Sequence, residues 1–181
     1  MARTAMGWRP HTGWTLVVVA RGSAAAPAVL ARQRVELLAG TDLPGHAYHA
    51  AQQEGLTGTE AAALVECVER NATSAAVDAM RSLVREHHVD AVAVIGKPRR
   101  LPGDIDQILT SHALLHAAEG ALFERALVEA AAEIDIPAAV YDPAAIVVSG
   151  PLDRLRATLG PPWQKDHKLA AAAALAALTT R

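Results

Sequence analysis

Three side chains that can bind metals or move protons, His112, His116 and Glu119, follow one another at steps of four and three within Ser111-His112-Ala113-Leu114-Leu115-His116-Ala117-Ala118-Glu119-Gly120. On a helix turning ~100° per residue they fall within roughly 60° of one another, so they share a face. Leu109 and Phe123 lie on the same stripe while Glu124 and Arg125 do not, which predicts that the trio faces the protein interior. Two imidazoles four residues apart can chelate one ion, with Glu119 as third ligand or general base and His116 as a proton-transfer group. Both can equally be structural histidines hydrogen-bonded inside a core or an interface, because the His-Glu-x-x-His order of zinc hydrolases is absent. Gly120 beside Glu119 costs about 1 kcal/mol inside a helix. Close packing or access for a ligand would offset it.

A second set of candidates is basic or aromatic. Lys97, Arg99 and Arg100 follow an apolar run, Asp90 to Ile95; a loop leaving the carboxyl end of a buried strand is where α/β folds place ligands, and three cations there suit a phosphate or a nucleic-acid backbone. A solvated basic loop would look the same. His11, Tyr48 and His49 stand in segments otherwise poor in such groups and are candidates for substrate contacts. Gly160-Pro161-Pro162-Trp163 reads as a rigid turn anchored by an aromatic side chain.

These residues need elements to hold them. Trp14 to Ala20 is a continuous β-branched run typical of a buried strand, and residues 28 to 38 alternate apolar and polar, so the two are expected to pair as an antiparallel hairpin. Residues 47 to 53 suggest a short helix presenting Tyr48 and His49. Thr57 and Glu60 form a capping box for a long helix reaching His87. Asp90 to Ile95 and Pro137 to Tyr141 are buried strands joined by a helix that Asp104 caps and that runs to about Ile134; right-handed crossover makes those strands parallel. A short helix over 151 to 159 and an alanine-rich helix over 165 to 178 complete the chain. The order predicts a single α/β domain over 1–181 in three layers, a mixed sheet flanked by helices, with residues 14 to 20 and 90 to 95 at its centre and residues 1–10 as a loose extension.

Composition limits the function. The 181 residues carry a net charge of −2, so any nucleic-acid binding must come from a local basic patch. Aromatic residues make up only 3%, leaving few stacking platforms for single strands. The lone cysteine, Cys67, cannot close an internal disulfide and reads as a small buried hydrophobe in a reducing compartment. Neither a signal peptide nor a membrane span is evident, and a cytoplasmic protein is expected.

The order of elements resembles the ribonuclease H-like fold, and more narrowly its RuvC-type resolvases. His11-Thr12-Gly13-Trp14 is similar to that family's Thr-Gly-aromatic segment in the first strand, and Lys165-Asp166-His167-Lys168 to its last helix, which opens on an acidic residue. The resemblance implies two divalent cations, Mg²⁺ or Mn²⁺, held by carboxylates of the first strand, the end of the middle strand and the last helix. Here no Asp or Glu precedes Glu36, and the middle strand ends in Gly96-Lys97, so only Asp166 carries over. Two functions follow. One is a metal-dependent hydrolase of phosphate esters or nucleic acid, with Glu119, Asp166 and His116 as its reactive groups and His112, His116, Glu119 and Asp166 holding Mg²⁺, Mn²⁺ or Zn²⁺; its partner would be nucleic acid or a phosphorylated small molecule. The other is a catalytically silent binding or assembly module, with the polar helix face as an interface, such as that of a homodimer.

Overall fold

The computed structural model describes residues 3–179. Its sheet opens with a meander: β1 (Thr4–His11) pairs antiparallel with β2 (Trp14–Gly22), and β2 with β3 (Pro27–Glu36). Residues 4 to 10, expected as part of a loose extension, are instead the middle strand of the sheet; residues 1 and 2 lie outside the described residues. Thr-Ala-Met-Gly-Trp lacks the β-branched run that marks a buried strand, yet all five residues are buried because helices cover both faces. A short helix precedes Gly55 and a long one follows it: α1 (Ala47–Gln53) and the 30-residue α2 (Gly58–His87). Next come β4 (Ala91–Ile95), α3 (Ile105–Leu109), α4 (His112–Glu133), β5 (Ala138–Tyr141), α5 (Gly150–Arg154), α6 (Arg156–Leu159) and α7 (Lys165–Ala177).

The strand order is β3-β2-β1-β4-β5, with β1, β4 and β5 mutually parallel. The parallel pairing of β4 with β5 and the β2–β3 hairpin agree with the sequence reading; β2 is one place removed from the centre that was expected for it. Side chains alternate between two cores. Met6, Trp8, Val17, Val19, Val92 and Val94 meet α1, α2 and α4, while Ala5, Val18, Ala20, Ala91, Ala93 and Ile95 meet α7. The second interface is tight: a Cβ on Gly7 would stand 1.8 Å from the carbonyl oxygen of Ala170. That contact accounts for the alanine run of α7, since larger residues would hold the helix off the sheet.

Local signals decided some boundaries differently from the pattern. The helix expected over 104 to 134 breaks at Thr110, because the Ser111 hydroxyl accepts the Leu114 N–H at 3.4 Å and starts a new helix. Asp104 does cap α3, accepting from the Asp106 N–H. Thr57 makes no side-chain cap; the first N–H of α2, on Gly58, donates to the Asp106 carboxylate at 2.8 Å instead. The Gly160–Trp163 turn is held by Arg32 of β3, whose guanidinium donates to the carbonyls of Leu159 and Pro162, both at 2.6 Å, while the Trp163 indole donates to Leu152. No helix among the described residues is long and apolar enough to cross a membrane.

Candidate functional site

At one end of the sheet the carboxyl ends of β1 and β4, the start of β2 and the end of β3 come together, as the registers His11 with Trp14 and Trp14 with Glu36 require. The first turn of α7 reaches the same place and presents Asp166. Its carboxylate lies 3.6 Å from the Arg9 Nε and 3.1 Å from the His11 Nε2, all three side chains about one-third exposed. Both nitrogens are buried and neither makes a well-angled hydrogen bond, so the contact is electrostatic. Burial lowers the His11 pKa, with Arg9 and Arg34 adding to the effect and Asp166 opposing it. His11 stacks on Trp14 at 4.0 Å, and the Arg34 guanidinium also lies over Trp14 at 4.0 Å.

The loop after β4 forms the other half of this end. Arg99 donates to the Glu124 carboxylate of α4 at 2.7 Å, and the Lys97 N–H donates to the same group. Two glycines make room: a Cβ on Gly120 would stand 2.9 Å from the Arg99 guanidinium, and one on Gly96 would stand 2.5 Å from the Glu124 carboxyl carbon. Gly120 is thus explained by Arg99 packing across α4. Lys97, Arg99 and Val140 border a cleft of about 670 Å³. The Lys97 and Arg100 side chains form no ion pair among the described residues.

Glu119 lies elsewhere. It is 5% exposed and faces α1, where one oxygen accepts the Tyr48 N–H at 2.8 Å, the His49 N–H at 3.0 Å and the His49 Nδ1 at 3.2 Å. Glu119 therefore caps α1 from another helix, a role that His46 at the cap position does not fill. Its second oxygen is buried with no partner. His112 and His116 are exposed, with their Nε2 atoms 3.0 Å apart, and His49 packs on both, at 4.9 Å from His116 and 6.1 Å from His112 between ring centroids. Tyr48 is buried against Arg125 and Glu69; burial raises its phenol pKa, with Arg125 opposing.

No family description and no curated protein sequence matches the chain. Solved structures do. Thermus thermophilus RuvC in complex with a Holliday junction substrate matches at 15% identity and a TM-score of 0.57, covering 96% of this chain and 90% of that one. A second structure of Thermus thermophilus RuvC matches at 15% identity and a TM-score of 0.52, covering 95% and 91%. The fold is ribonuclease H-like and resembles that of RuvC.

The pair of cations that this resemblance implies does not fit the residues present. β1 ends in Arg9, Pro10 and His11, β4 ends in Ile95 and is followed by Gly96, and the three acids at this end, Glu36, Glu124 and Asp166, each face an arginine. The expected convergence of His112, His116 and Glu119 on Asp166 also gives way: α4 and α7 cover opposite faces of the sheet, Glu119 alone of the trio is buried, and its partners are on α1. Among the described residues Asp166 belongs to no group of three metal-competent side chains, whereas His49, His112 and His116 form one and His46, His49 and Glu119 another. His11 joins Asp166, and His49 joins the helix trio. Tyr48 touches Glu119 through its backbone N–H, and its side chain is buried in the core. Arg9 and Arg34 escaped the sequence reading, Arg9 because its strand carries no strand signature; the missing acid before Glu36 was the one signal that something else occupied that position.

Proposed function

We propose that this protein is a nucleic-acid-binding module on a RuvC-type scaffold that does not cut by two-metal chemistry. The Arg9 contact with Asp166 carries the proposal: a fixed positive charge stands against the acidic residue that the resemblance would assign to a cation, and a guanidinium binds phosphate as readily as it displaces a metal. Arg9, Arg34, Lys97, Arg99, Arg100 and Lys165 cluster at this end of the sheet against Glu36, Glu124 and Asp166, which supports a local basic patch on a chain of slightly negative net charge. Because the RuvC neighbour holds a Holliday junction substrate, branched DNA is the first probe.

The test is a gel-shift titration with a four-way DNA junction over a range of salt, with a cleavage assay in Mg²⁺. Salt-dependent binding without strand scission is expected, and Lys97→Glu with Arg100→Glu should weaken it roughly tenfold or more. Mg²⁺-dependent cleavage that is lost in Asp166→Asn would overturn the proposal and restore the hydrolase. A phosphorylated small molecule in the cleft beside Lys97 and Arg99 is the outcome if no nucleic acid binds.

A further inference from the structure

We infer that His49, His112 and His116 bind one divalent cation of the zinc class, at a site separate from the strand end where RuvC-type chemistry would lie. His112 and His116 stand one turn apart at the start of α4, and their Nε2 atoms are 3.0 Å from each other. Two nitrogens each ~2.0–2.1 Å from one tetrahedral ion stand about 3.3 Å apart, so the pair is close to chelating geometry before any ion arrives. His49 comes from α1, and one ligand atom from each of the three lies within 4.8 Å of the others.

A hydrogen bond between His112 and His116 would account for those two rings but not for the third or for Glu119. Glu119 accepts from the His49 Nδ1 at 3.2 Å, which places the ring proton there and leaves Nε2 with a free lone pair. A carboxylate behind a histidine in this way orients the ring and raises its basicity toward a metal. Glu119 is a positioning residue here. Its other oxygen is buried without a partner, and no lysine or arginine pairs with this carboxylate among the described residues. A cation on His49 supplies the missing positive charge.

The donor set selects the metal. Imidazole nitrogens favour Zn²⁺, Cu²⁺, Ni²⁺ or Fe²⁺ over Mg²⁺, whose ligands are oxygens. His112 and His116 are exposed, and a cleft of about 500 Å³ bordered by Pro44, His46, His49 and His116 opens beside them, so the ion has an entry path and a fourth position for water.

The test uses the full chain without an affinity tag: calorimetric titration with Zn²⁺, and visible spectroscopy with Co²⁺ as a reporter of coordination. One ion per chain and Co²⁺ bands of tetrahedral or five-coordinate intensity are expected. His49→Ala, His112→Ala and His116→Ala should each weaken Zn²⁺ binding on the order of 100-fold, and Glu119→Gln about 10-fold, as outer-sphere partners do. His46→Ala and His87→Ala should leave the affinity within a few fold. Substitution at the exposed His112 and His116 spares the core, and an unchanged melting temperature of the metal-free variants confirms it. Zn²⁺ binding no tighter than that of the His112→Ala/His116→Ala double variant overturns the inference. So does binding that survives the double variant and is lost in His46→Ala, which would move the ion to the neighbouring group of His46, His49 and Glu119.

Discussion

Both the end of β1 and the start of α4 bring a carboxylate next to a histidine, yet they differ in what completes the charge. Asp166 meets the guanidinium of Arg9 together with His11. Glu119 meets only backbone N–H groups and His49. The difference in burial goes the same way: Asp166 is partly solvated and can be screened, whereas Glu119 is enclosed and caps a helix. At Asp166 a guanidinium already faces the carboxylate, while Glu119 is an enclosed carboxylate behind the single imidazole of His49, with no fixed cation beside it.

The comparison can be broken in order of effect. Gly7→Ala strikes only the α7 side, because its Cβ would meet the Ala170 backbone oxygen; a loss of roughly 3 kcal/mol, or a fall of ~10 °C in Tm, is expected by thermal melting. Glu119→Ala leaves the Tyr48 and His49 N–H groups without their acceptor and should cost about 2 kcal/mol, while Asp166→Ala, partly solvated, should cost no more than ~1 kcal/mol. Equal losses in denaturant titrations would mean that the two carboxylates do not differ as described.

Arg9→Asp makes the strand end more like a nuclease. Two facing carboxylates should lower stability by about 1 kcal/mol without metal, and Mg²⁺ should restore it while leaving the melting of the parent protein unchanged. The smallest effect is on pH. The His11 and His167 pKa values lie below 6.5 in the folded protein, chiefly through burial. The unfolded chain then binds more protons below that pH, so stability is full above about 6.5 and declines as the pH falls toward the folded values. His11→Asn should flatten part of that slope in melts between about pH 7.5 and 5.5. A slope unchanged in the variant would assign the effect to other groups.

Much of the architecture was legible from local patterning. The apolar runs at 14 to 20 and 90 to 95, the 3.6-residue period over 58 to 87 and the alternation after residue 27 each report burial on one face or two, and burial is what periodicity records. β1 was not legible, because Ala5 and Gly7 are chosen for the close approach of α7 and carry no strand propensity. The break at Ser111 depended on one hydroxyl competing for one N–H.

The sequence by itself determined that His112, His116 and Glu119 share a helix face, that a basic loop follows a buried strand, and that no acid can come from the first strand. Those facts depend on spacing and on residue type alone. Tertiary structure decided which groups meet: α1 brings His49 to the helix trio, β1 brings Arg9 and His11 to Asp166, and the sheet separates the layers that carry the two carboxylates. Each of these contacts joins residues far apart in the chain, and helical or strand periodicity carries information only across the few residues of one element.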